Sequence, residues 1–122
     1  MDNDQQAQVI EARLDALDSM TISDDRSARA AFTHVIGTVS RINQLSARTR
    51  AQAMVGGAGA PVDDLLERLE QWLDRLLGAL ARIVENLAGA TSFSISVGTN
   101  VSVTVVFGHA KAQDQGAPEI SE

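Results

Sequence analysis

Between Pro61 and Leu87 the apolar residues fall at Leu66, Leu69, Leu73, Leu76, Leu80, Ile83 and Leu87, alternating three and four apart. That spacing is the seam of an amphipathic helix. Leu65, Trp72, Leu77, Ala79 and Val84 widen the seam beyond what a two-stranded coiled coil needs. A stripe of this width calls for cover from two sides, as in a bundle or beneath a sheet. Pro61 suits the first turn, Asp63 and Asp64 favour the positive end of the helix dipole, and Gly89 suits a left-handed close.

Two earlier segments have the same period. Ala7, Ile10, Leu14 and Leu17 predict a short helix over Asn3 to Met20. Ala28, Phe32, Val35, Val39 and Ile42 predict a longer one from about Asp24 to Ala53, with Ser23 as its N-cap. The β-branched run around Gly37 argues for a strand over Phe32 to Val39. It does not alternate, however, and the helical spacing continues past it, so helix is the expectation and Gly37 marks a close approach by another helix. The small-residue stretch from Val55 to Ala60 is a linker that lets the two long helices fold back on each other.

After the long helix the period changes to two. Phe93, Ile95 and Val97 alternate with serines, and Val101, Val103 and Val105 alternate with Ser102 and Thr104. Only a three-residue loop, Gly98-Thr99-Asn100, keeps apolar opposite apolar and hydroxyl opposite hydroxyl. The expected fold is therefore α+β: a short N-terminal helix, a long antiparallel helical hairpin, and a C-terminal β-hairpin packed on the helices. One domain spans residues 1–108, and residues 109–122 form a disordered acidic tail.

Composition narrows the function classes. The formal charge of −6 argues against a nucleic-acid backbone as partner, and the absence of cysteine removes disulfides and metal–thiolate sites. An arginine- and alanine-rich composition suggests a bacterial source. No stretch is apolar enough to span a membrane, and the acidic opening Met1-Asp2-Asn3-Asp4 is unlike a secretory signal, so a cytoplasmic location is expected.

No constellation carries chemistry. His34 and His109 are the two histidines, with no second ligand at helical spacing, so no metal, cofactor or catalytic residue is assigned. The acidic row Asp63, Glu67, Glu70 and Asp74 is read as a solvated face shared with Arg68, Arg75 and Arg82. Gly57 and Gly59 lack the third glycine and preceding strand of a dinucleotide fingerprint.

What stands out is an undefended hairpin. No charge or proline lies between Thr91 and Gly108, although natural sheet edges are usually guarded by one or the other. The sequence thus points to a non-enzymatic interaction module that self-associates or pairs a strand with another protein. Its expected interface residues are Leu69, Trp72, Leu73, Leu76 and Leu80 for helix packing, and Phe93, Ile95, Val103 and Val105 for strand pairing. The alternative is a small apolar ligand held between hairpin and helices, with Trp72 reporting its arrival.

Overall fold

The computed structural model describes residues 3–56 and 60–108. It contains α1 (Asn3–Ser19), α2 (Asp25–Gly56), α3 (Ala60–Asn86), β1 (Ala90–Val97) and β2 (Val101–Phe107). This is the expected α+β order, with the hairpin packed on the helices. The middle of the linker, residues 57–59, and the expected tail, residues 109–122, lie outside the described residues.

α2 runs unbroken through Gly37. Ala28, Ala31, Val35, Val39, Ile42 and Leu45 all fall on its buried face, and burial outweighs the weak helix propensity of the β-branched run. The hydroxyls in that run are satisfied locally. Thr33 donates to the Arg29 carbonyl at 3.1 Å, and Thr38 to the His34 carbonyl at 2.9 Å. Gly37 does admit a close neighbour, and it is the side chain of Arg13 from α1. A Cβ on Gly37 would lie 2.5 Å from Arg13 Nη2. Over this bare backbone Arg13 donates to Thr38 Oγ1 at 3.1 Å and to the His34 carbonyl at 3.3 Å. His34 returns the link, with Nε2 2.8 Å from the Arg13 carbonyl.

The cap of α2 is Asp24, one residue beyond the expected Ser23. The Asp24 carboxylate accepts from the Ser27 N–H at 2.8 Å, and the Ser27 hydroxyl accepts from the Asp24 N–H at 3.1 Å. This is a reciprocal box. The Ser27 N–H first, and its hydroxyl second, hold the Asp24 carboxyl below the usual range. The next residue, Asp25, accepts from the Ala88 N–H at 2.8 Å, tying the start of α2 to the end of α3.

α1 covers one flank of the long pair, burying Ala7, Ile10, Leu14 and Leu17. Its acidic positions reach α3. Arg75 bridges Asp18 at 2.6 Å and Asp15 at 2.7 Å, and these partners hold its guanidinium above the usual range. Trp72 is buried on this same side, its indole N–H donating to Glu11 at 3.3 Å.

Gly89, at φ +81°, turns the chain out of α3 and into the hairpin. The hairpin covers the opposite side of the long pair, β1 against α3 and β2 against α2. Its register is the expected one: Phe93 faces Val105, Ile95 faces Val103, Val97 faces Val101, and the hydroxyl residues pair among themselves. One bulge, at Thr91, lies at the root and leaves Phe93 to Val97 regular.

Candidate functional site

The hairpin has two outer edges, and the helices treat them differently. In an antiparallel ladder, residue pairs that exchange both hydrogen bonds alternate with pairs whose N–H and C=O point outward. Gly98 donates to the Asn100 carbonyl at 3.2 Å, so this pair is of the inward kind. By alternation Ser96–Ser102 and Ser94–Thr104 are inward too. Phe93, Ile95 and Val97 then aim their backbone groups out along the free edge of β1, and Val101, Val103 and Val105 do so along β2.

On β2 the first of these positions is closed. The Asn43 amide, on α2, donates to the Val101 carbonyl at 2.9 Å and accepts from the Val101 N–H at 2.7 Å. It stands in for the neighbouring strand. Beyond it, Arg50 donates to the Thr99 carbonyl at 2.6 Å. On β1, among the described residues, no helix side chain hydrogen-bonds to Phe93, Ile95 or Val97. Val97 itself is 56% exposed.

Beside that open edge runs the outer flank of α3. Leu66, Leu73, Leu77 and Val84 recur at seven, four and seven residues and so form one row on the helix. Leu66 is 55% and Leu77 42% exposed, while Leu73 and Val84 are half-buried. On the helix this row borders the buried stripe on the side away from Arg75, and β1 packs against the same helix. Beyond the row lie Asp63, Glu67, Glu70, Asp74 and Glu85, all exposed. Two of the three arginines expected among them, Arg68 and Arg75, are engaged elsewhere. Arg68 pairs with Asp64 at 3.3 Å, Arg75 is engaged with α1, and no ion pair among the described residues engages the five carboxylates of this face.

The residues expected at an interface are placed as follows. Leu69, Trp72, Leu76 and Leu80 are buried in the core of this one chain, covered by α1, α2 and the hairpin. Leu73 is half-buried at the flank. Phe93, Ile95, Val103 and Val105 are half-buried and turned toward the helices, so their backbone, rather than their side chains, faces the edges. Residues with surface roles that the pattern did not single out are Asn43, Leu66, Leu77 and Val97. Leu66 belongs to the seam itself, and Leu77 is legible as excess width of the stripe. Asn43, an amide at the border of the apolar face of α2, gave no further signal.

Several depressions lie among the described residues. An open polar one of about 480 Å³ is lined by Asp4, Gln8, Glu11, Arg68 and Gln71. One of about 190 Å³ lies between the ends of the helices, lined by Asn3, Ala7, Leu45, Thr49, Leu65 and Arg68 among others. A further one, about 320 Å³, lies at the hairpin root between Arg29, Phe32, Thr33, Leu87 and Phe107. Trp72 faces α1, away from this last depression, and is not placed to report on it. Among the described residues no group of acidic or imidazole side chains is clustered to hold a metal ion, and no helix is long and apolar enough to cross a membrane. Comparisons with protein-family models, with curated proteins and with solved structures find no match to this chain.

Proposed function

We propose that this chain is a non-enzymatic interaction module that receives a further strand along β1, supplied by a second copy or by another protein. The observation that carries it is the asymmetry of the hairpin. Asn43 closes β2 at Val101, whereas among the described residues no helix side chain hydrogen-bonds to the outward groups of Phe93, Ile95 and Val97, and α3, against which β1 packs, carries an exposed apolar row. Added strands bind through such main-chain groups and gain specificity from the side chains beneath. An uncharged, proline-free edge is the kind that pairs.

The test is site-specific photo-crosslinking in the cell that makes the protein. A photo-reactive residue at Val97 is expected to give discrete adducts, with itself or with another protein. The same residue at Thr104, exposed on the hydroxyl face, is expected to give none. Equal yields at both positions, or none at either, would overturn the proposal.

The second reading, an apolar ligand, rests on the depression at the hairpin root. Its volume is near the lower end of small-molecule sites, about 300 Å³. The space between hairpin and helices is otherwise filled by Phe93, Ile95, Val103 and Val105. Ligand-induced shifts at Phe32 and Phe107 under a fatty-acid titration would support it. Unchanged resonances there would end it.

A further inference from the structure

Resting on that reading, we infer that the strand received by β1 is a lone extended segment of another protein, carrying lysine or arginine, rather than the hairpin of a second copy.

Spacing disfavours the second copy. Neighbouring strands lie about 4.8 Å apart, whereas packed helices need about 8–10 Å between axes. β1 sits on α3 and β2 on α2, so each strand already has a helix beneath it. Two copies joined β1 to β1 across a two-fold axis would bring their α3 helices almost onto that axis, where both cannot fit. A lone strand brings no helix. Set one strand spacing beyond β1, it lies over the row Leu73, Leu77 and Val84, which β1 leaves partly open.

Charge selects the segment. The α3 surface next to that row presents Asp63, Glu67, Glu70, Asp74 and Glu85, all exposed. None of the ion pairs among the described residues uses them. A second copy would set the same carboxylates against these, and the chain as a whole carries −6. Lysine and arginine suit both parts of the surface. Their aliphatic stems lie over leucine and valine while their charged ends reach Glu70 and Asp74.

The test combines light scattering on the full chain with a nuclear magnetic resonance titration. The probes are a short peptide of alternating valine and lysine and its counterpart with glutamate for lysine. The chain alone is expected to be a monomer. The lysine peptide is expected to shift the amides of Phe93, Ile95 and Val97 and the methyls of Leu77 and Val84, and the glutamate peptide is not. Glu70→Gln with Asp74→Asn, both on the surface, should weaken the lysine peptide roughly tenfold. Binding of both peptides at β1 with equal affinity would overturn the basic partner but leave strand addition standing. A dimer that Val97→Pro dissociates would make the occupant a second copy and overturn the inference in another way. A monomer in which neither peptide reaches β1 would take down the underlying reading as well.

Discussion

The side-chain amide of Asn43 is hydrogen-bonded to both main-chain groups of Val101, at 2.7 and 2.9 Å, across 58 residues of sequence. It lends α2 the role of a strand for one residue. Val101 is 4% exposed, and with the amide in place both its N–H and its C=O are satisfied within the fold.

Asn43→Ala should therefore cost about 1–3 kcal/mol, the penalty for leaving buried polar groups unpaired. Chemical denaturation checks the magnitude. The Val101 amide should at the same time lose its protection from hydrogen exchange. A variant as stable as the parent would show that water or a shifted strand replaces the amide.

Adjacent leucines on α3 should behave in opposite ways. Leu76 is fully buried and Leu77 is 42% exposed. Leu76→Ala should lose about 2–5 kcal/mol, and Leu77→Ala no more than about 0.5 kcal/mol. Equal losses by thermal or chemical unfolding would mean that the outer row is covered after all.

Two helical glycines make a second contrast. Nothing lies within 4 Å of a Cβ built on Gly78, so Gly78→Ala should stabilise α3 by about 0.5–1 kcal/mol. At Gly37 the same methyl meets the Arg13 guanidinium and displaces its bonds to Thr38 and His34. Gly37→Ala should then gain nothing or lose stability, and it should recover the full gain in an Arg13→Ala background. A double-mutant cycle measures this coupling. Additive effects would contradict the contact.

The Asp24 cap sets a pH dependence. Its carboxyl is held below the usual range by Ser27, so the folded state favours the ionised form. The sign follows from linkage. The contribution is fully present above the unfolded value, near 3.9, and is lost as pH falls through the lowered folded value. Asp24→Asn keeps the cap but does not titrate. The stability of the parent relative to this variant should fall as the solution is acidified below about pH 4. A constant difference throughout the acid range would contradict the cap.

Much of this architecture is legible in the residue pattern because local rules agree there. The alternation of serine with valine fits only one loop length, and that single constraint sets the register of every pair from Phe93 to Val105. The four–three spacing through Gly37 likewise overrode the β-branched residues around it. The α2 cap falls one residue beyond the expected Ser23 because Ser23 and Asp24 are both good caps. Ser27, three residues after Asp24, decides between them.

The candidate site was less legible. Periodicity gives the angle at which a side chain leaves its helix but not which neighbour lies there. Leu66 and Leu76 belong to the same seam, yet one is exposed and the other buried. Spacing alone sets Arg68 and Arg75 beside the acidic row for the same reason, although they stand at the opposite border of the stripe, with Arg75 held by α1. The Asn43–Val101 pair joins elements distant in sequence, and no local pattern encodes it.

Residue-resolved amide hydrogen exchange on the full chain, free and saturated with the valine–lysine peptide, tests strand addition at β1 most directly. In the free chain Phe93, Ile95 and Val97 should exchange fast while Ser94, Ser96 and Val101 exchange slowly, and the peptide should slow the first three. If those three are already slow in the free monomer, or stay fast at saturation while other amides slow, β1 is not the edge that receives a strand.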